Sequence, residues 1–217
     1  AAALHLRVVA DAAQQAVDDA RRTARAAGDL AGAVRIAVDA EDARGAAHDP
    51  GQLQAVWDTL DPAERRTPEL ALRAAQRLLA LGGDHAVARQ WLHPVWDEML
   101  ALPESFSSAQ RVRLARVLEA GMLTTGEASD QEWLARIESA AQANPRDPTL
   151  QYLAGMACLH RGLWGRAQML LAQAARSLQD DGLRRHAWRA LAQLAEQRGD
   201  EAAAAQAWKR AADAGAG

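Results

Sequence analysis

The chain has 217 residues, enough for one large domain or two small ones with a substantial hydrophobic core. Its 25 basic and 28 acidic side chains leave a net charge of −3, which argues against a nucleic-acid partner, because such domains normally carry a concentrated basic excess. The single cysteine, Cys158, excludes a disulfide framework or a multi-cysteine zinc site within one chain, and no apolar run approaches the length that spans a bilayer.

The composition predicts an all-α protein. Alanine, the strongest helix former, is the commonest residue, and leucine, arginine, glutamine and glutamate supply much of the rest. Residues that favour sheets are sparse, with one tyrosine and one phenylalanine, and no useful stretch alternates apolar and polar residues with the period of a strand.

Glycine and proline breakers divide the chain into predicted helices. In chain order these helices cover residues 4–27, 30–44, 52–60, 68–81, 84–102, 107–122, 129–143, 148–161, 163–178, 183–198 and 200–213. We expect Thr67 to cap the helix that starts at Pro68, and we expect Pro94 to kink or split its helix. The strongest break is the segment 144–148, which contains two prolines.

The last four helices match the tetratricopeptide repeat (TPR), a pair of helices of 34 residues joined by a glycine turn. Gly162 and Gly199 occupy equivalent turns 37 residues apart, so the linker holds a three-residue insertion, and Gly155 stands where the two helices of a pair approach closely. The other matching positions are Ala167, Leu171 and Ala174 in one unit and Trp188, Leu191, Ala192, Ala204, Trp208 and Ala211 in the other.

Upstream, two weaker units share the spacing of the turn and the second helix. They contain Gly28, Ala33, Ala37 and Ala40, and Gly83, Ala88, Leu92 and Val95. We therefore predict degenerate repeats at 1–103, an irregular helical pair at 104–145 and two well-formed TPR units at 146–217. Together they would form one right-handed superhelix of stacked helical hairpins, a TPR-like α-solenoid. The alternative is an irregular alanine-rich bundle, which fits the C-terminal half poorly.

A TPR superhelix presents a concave groove lined by the first helix of each pair, and such grooves usually bind peptides or partner domains. The predicted partner-binding residues are Arg73, Arg77, Tyr152, Met156, His160, His186, Arg189 and Gln193. The lysine and asparagine clamp by which some TPR domains hold a partner's terminal carboxylate is missing, since the only lysine is Lys209 on a second helix.

The sequence contains no recognisable catalytic constellation. It has no glycine-rich phosphate loop and no pair of histidines with the spacing of a metalloprotease, so we predict neither catalytic residues nor a metal site. Cys158 is best explained as a small buried residue. His160 lies on a groove position, where it could be an axial ligand of a porphyrin iron; the alternative is an exposed or capping histidine.

Seven tryptophans stand out in a chain that has almost no other aromatic residues. We expect most of them to pack between repeats, because tryptophan buries a large area where alanine-rich helices leave gaps. Trp96, beside Pro94, is the candidate for an exposed, binding tryptophan.

A family resemblance is carried by residues 144–147, 150–160, 163–167 and 183–192, and the segment from 68 to 84 also fits, whereas the motifs before 60 are weak. In these segments the chain resembles the HemY family, the haem-biosynthesis-associated TPR proteins of proteobacteria. Proteins of this family carry two N-terminal membrane helices and a basic stretch before the repeats. Neither is present in this sequence, so the resemblance implies a C-terminal soluble part.

The resemblance implies a non-enzymatic scaffold of late haem biosynthesis. The full-length protein would sit in the inner membrane with its repeats facing the cytoplasm, and the groove would bind a pathway enzyme such as ferrochelatase. No cofactor is expected under this hypothesis. The alternative is a haem or porphyrin carrier or sensor that uses the same groove, with His160 as the candidate ligand. The flavoenzyme that shares the HemY name in some bacteria is excluded, because no dinucleotide fingerprint is present.

Overall fold

The computed structural model describes residues 49–123 and 128–215. In these ranges the regular elements are ten α-helices and two 3-10 segments, without a strand, which confirms the predicted all-α class. The helices belong to two compact units, one ending at Asp84 and the other beginning at His85. The predicted helices at 4–27 and 30–44, with the weak unit around Gly28, lie outside the described residues. The predicted division at 103 and 145 stays a prediction.

The unit that ends at Asp84 contains three helices. They are α1 (Pro50–Thr59), α2 (Pro62–Arg65) and α3 (Pro68–Ala80), and α3 packs against both of the others. Each begins with a proline, whose missing N–H costs nothing in the first turn. Asp49 and Asp61 cap α1 and α2 through their side chains. Thr67 precedes α3 as predicted, but its hydroxyl donates to the carbonyl of Ala63 and forms no cap hydrogen bond.

The unit that begins at His85 contains the other seven helices. They are α4 (His85–Ala101), α5 (Ser108–Ala120), α6 (Ala128–Ala143), α7 (Pro148–His160), α8 (Trp164–Ser177), α9 (Asp181–Gln197) and α10 (Glu201–Asp213). The 3-10 segments are Pro103–Ser105 and Gly121–Leu123. Chain neighbours pack as pairs: α7 with α8, α8 with α9 and α9 with α10, while α5 and α6 also pack against α7.

Helix α4 continues through Pro94, so the proline does not split the helix. Proline removes one hydrogen bond of the helix, but two buried side chains on each side of it hold both halves in the core. These side chains are Trp91, Leu92, Val95 and Trp96.

The tight turns follow the predicted glycines. Gly162 and Gly199 have φ values of 69° and 73°, a left-handed conformation that favours glycine. At the first turn the N–H of Gly162 donates to Leu159 and the N–H of Leu163 donates to Cys158, at 3.0 and 2.9 Å. The same two bonds close the turn at Gly199, and also the end of α3 at Gly82. Gly82, rather than the Gly83 of our repeat alignment, takes the left-handed conformation there.

Gly155 allows α7 and α8 to approach closely, as predicted. A Cβ atom at this position would lie 2.7 Å from Cγ of Leu171 and 3.2 Å from its backbone nitrogen. Only a residue without a side chain fits this contact.

The tryptophans divide into buried and exposed groups. Trp57, Trp91, Trp96 and Trp133 are buried, and Trp188 lies beneath the guanidinium of Arg210 at 4.6 Å. The suggestion that Trp96 is exposed is wrong: it is 1% exposed and packs edge-on against Trp133, with ring centroids 5.7 Å apart. Trp164 and Trp208 are the exposed ones among the described tryptophans.

Candidate functional site

Helices α5, α7 and α9 each contribute one side chain to a connected polar cluster. The hydroxyl of Tyr152 donates to Oε2 of Glu119 at 2.5 Å and lies 3.0 Å from Nδ1 of His186. The same Nδ1 lies 2.9 Å from Oε1 of Glu119. We call Glu119, Tyr152 and His186 the polar cluster.

The hydrogen bonds fix the roles of the atoms in the polar cluster. Because the Tyr152 proton goes to Glu119, Nδ1 of His186 carries the proton that it shares with the carboxylate. Nε2 is therefore the ring nitrogen that the cluster leaves unused. This is the arrangement in which a carboxylate orients an imidazole and favours its charged form.

Burial differs across the polar cluster and shifts the titration of its members. Tyr152 is fully buried and Glu119 is buried, whereas 52% of the His186 side chain is exposed. Burial raises the pKa of Tyr152, and the charge and hydrogen bond of Glu119 raise it further. The hydrogen bond to Glu119 raises the pKa of His186 above its ordinary value, although partial burial acts in the opposite direction. Tyr152 therefore stays a proton donor, and His186 is easier to charge than a free histidine.

A second link joins α5 to the start of α9. The guanidinium of Arg116 lies 3.0 Å from Oδ1 of Asp180, which also caps α9 by accepting from the N–H of Leu183 at 2.8 Å. Arg116 passes directly over Gly182, where any Cβ would collide with its guanidinium. The predicted linker before α9 thus supplies both the carboxylate and the open space for this ion pair.

The predicted groove residues occupy different environments. Tyr152 and Met156 are buried, His160 is half-buried, and His186, Arg189 and Gln193 are exposed along α9. Arg73 and Arg77 belong to α3 in the other compact unit, where Arg73 pairs with Glu69 at 3.1 Å. The candidates on α7 and α9 therefore lie in one compact unit, and the two arginines on α3 lie in the other.

Sequence reasoning missed Glu119, Arg116 and Asp180. Glu119 directly follows the apolar residues Val117 and Leu118, so a carboxylate at the edge of a buried helix face was an available signal. Its partners could not be identified from the sequence, because they lie on helices far along the chain.

His160 sits at the last residue of α7, and its Nε2 is shielded from solvent without a hydrogen-bond partner in the described part of the chain. Burial lowers the pKa of His160, although the charge of Glu119 acts against this effect. The imidazole is therefore neutral near pH 7. A metal ion or haem iron could reach this shielded nitrogen only after the side chain turned.

Cys158 is buried, as the sequence suggested. Its Sγ lies 3.9 Å from Oε1 of Glu138, and burial raises the pKa of the thiol. The protonated thiol is a poor nucleophile. These observations agree with a structural role.

Among the described residues, no group of histidine, cysteine and carboxylate side chains could hold a metal ion. Over the same residues, no helix combines the length and the apolar character needed to cross a membrane. Comparison with protein-family models, with curated proteins and with solved structures finds no match to this chain.

Proposed function

We propose that the chain is a non-enzymatic TPR-like adaptor whose helices from α5 onward form a protein-binding surface. Two features support the repeat assignment. The glycine turns after α7 and α9 have identical hydrogen bonding, and Gly155 provides the close helix contact that the repeat requires. In this proposal α7 with α8 and α9 with α10 are stacked units of a right-handed solenoid.

The observation that carries the proposal is the convergence of α5, α7 and α9 at the polar cluster. A TPR solenoid places its first helices side by side on the concave face, and α7 and α9 are the first helices of the two proposed units. The direct contact between Tyr152 and His186 is what that arrangement requires. The exposed side chains beside it, Arg189 and Gln193, are then available to a partner.

The resemblance to the HemY family supports a partner from late haem biosynthesis. We propose an enzyme of that pathway, such as ferrochelatase, held near the inner membrane by a full-length protein whose repeats face the cytoplasm. The adaptor would place the enzyme without taking part in its chemistry.

The proposal is tested by measuring binding of purified ferrochelatase to the immobilised full chain, with an unrelated TPR domain as reference. We expect binding to this chain alone. Replacing both Arg189 and Gln193 by alanine should weaken it, whereas Arg176→Ala, an exposed site on α8, should not. Equal binding to the unrelated domain would contradict the proposal.

A second candidate, direct porphyrin binding, is favoured by one observation: the neutral His160 has a ring nitrogen without a partner in the described residues. Haem titrated into the full chain and into His160→Ala distinguishes the candidates. A histidine-ligated spectrum that disappears in the variant would support the carrier. Identical spectra for the two proteins would remove His160 from the site. The adaptor remains the stronger proposal because that nitrogen is shielded.

A further inference from the structure

The exposed side of α9 carries a row of hydrogen-bond donors. His186, Arg189 and Gln193 follow one another at spacings of three and four residues, so they share one face of the helix, and all three are exposed. We call these residues the donor row. Nε2 of His186 faces away from the bonds of the polar cluster, and Arg189 extends the row by one turn.

Arg189 has no carboxylate at ion-pair distance in the part of the chain that is described, and neither has Arg185, whose guanidinium lies against Gly215 just after α10. Arg116 is paired with Asp180, and Arg184 is paired with Asp181. The guanidinium of Arg189 lies close enough to His186 for its charge to act on the imidazole. The donor row therefore has positive charge that its own helix does not neutralise.

The other charged groups near His186 do not cancel the charge of Arg189. On α5, Glu119 offsets the charge of a protonated His186, and Arg116 is paired with Asp180, so the charge of Arg189 is left unbalanced. From α7, Tyr152 and His160 are both neutral.

Towards the end of α9, the next carboxylate is that of Glu196. It accepts a hydrogen bond from Nε1 of Trp208 at 2.7 Å, which directs it to α10.

We propose that the donor row binds an acidic segment of the partner protein, with one partner carboxylate between His186 and Arg189 and a polar group against Gln193. This inference rests on the proposed adaptor function and specifies the chemistry of the segment that it binds. Arginine and a protonated imidazole both form charge-assisted hydrogen bonds to carboxylates, and the Glu119 contact holds the imidazole ready to donate from Nε2. A partner segment rich in aspartate or glutamate matches this surface.

The test uses the full chain and a fluorescein-labelled peptide of eight aspartates, with the matching peptide of eight asparagines as reference. Fluorescence anisotropy at low salt should show binding of the aspartate peptide only. Arg189→Gln should weaken binding of the aspartate peptide about tenfold, because one charge-assisted contact is lost. The exposed glutamine should leave the fold intact. Arg176→Gln on α8 should bind like the wild type.

Further measurements distinguish binding of an acidic peptide from binding of a lipid surface. Binding should be stronger at pH 6 than at pH 8, and His186→Gln should remove this difference. Equal affinity for the two peptides, or equal weakening by Arg176→Gln, would overturn the proposal. Binding of 100-nm vesicles containing phosphatidylglycerol in preference to the peptide would assign the row to a lipid surface instead.

The outcomes also separate this inference from the proposed function. If ferrochelatase binds but the aspartate peptide does not, only the acidic-segment inference fails. If the peptide binds and ferrochelatase does not, the proposed partner fails and the surface chemistry stands.

Discussion

Nδ1 of His186 lies 2.9 Å from Oε1 of Glu119, and this contact joins α9 to α5 above the buried hydroxyl of Tyr152. The side of α7 that we expected to be an open groove is therefore partly covered. A partner would meet the exposed edge of the polar cluster and the donor row, and not the ring of Tyr152.

Glu119→Gln tests the electrostatic centre of the polar cluster. Without the carboxylate charge, the pKa of His186 should fall, because its hydrogen bond to Glu119 is the main cause of the upward shift. The free energy of unfolding should drop by about 1–3 kcal/mol as a buried charge-assisted bond is lost. NMR titration of the His186 ring and urea unfolding measure the two effects.

Glu132→Gln is the matched control. This exposed carboxylate on α6 pairs with Arg136 at 3.2 Å, and its loss should change stability by about 0.5 kcal/mol or less. An unchanged His186 pKa in Glu119→Gln would show that the contact does not raise this pKa.

Tyr152→Phe removes one hydroxyl and keeps the ring in place. The buried Oε2 of Glu119 then loses its donor, so we expect a loss of about 1–3 kcal/mol in thermal or urea unfolding. Combined with Glu119→Gln, the two losses should not add, since both substitutions act on the same hydrogen bond. Simple additivity of the two losses would contradict a connected cluster.

Gly155→Ala tests the close contact of α7 with α8. Its new methyl group must displace Leu171 or the backbone of α8, and overpacking of this kind costs about 1–3 kcal/mol. Gly165→Ala on α8 is the matched control, because a Cβ there meets no atom within 4 Å. We expect that substitution to be neutral or to stabilise by up to about 1 kcal/mol, through the higher helix propensity of alanine. Equal losses in chemical denaturation would argue against the close contact.

His186 should make stability depend on pH with a defined sign. Because its pKa is raised in the folded state, its contribution is complete below the ordinary value of about 6.5 and is lost as pH rises through the folded-state pKa. The wild type should therefore lose stability over that window relative to His186→Gln.

His160 acts with the opposite sign. Its lowered pKa makes stability fall as pH drops below about 6.5, towards the folded-state value. The comparison must therefore be the difference between the wild type and His186→Gln at each pH, from urea unfolding curves. If the stability of the wild type relative to His186→Gln increased with rising pH, the result would contradict the contact with Glu119.

Helix positions followed from local chemistry and could be predicted. Pro148 after a capping Asp147, and the left-handed glycines after α7 and α9, set the ends of elements within two residues of the sequence-based limits. Helix α2 was not predicted, because its four residues are too few to show a periodic pattern.

The polar cluster could be predicted only in part. Tyr152 and His186 were recognised because they fall on first-helix positions of the repeat pattern. Glu119 was not, because the segment before 146 has no regular repeat from which its register could be read. Whether a groove residue is open or covered depends on side chains from other helices, and local spacing does not contain that information.

The most direct test of the central claim is photo-crosslinking from single positions of the full chain to purified ferrochelatase. Benzoylphenylalanine at position 193, on the donor row, should yield a covalent adduct, and the same residue at position 176 on α8 should not. Adducts from position 176 alone, or equal yields from the two positions, would contradict a binding surface on α9.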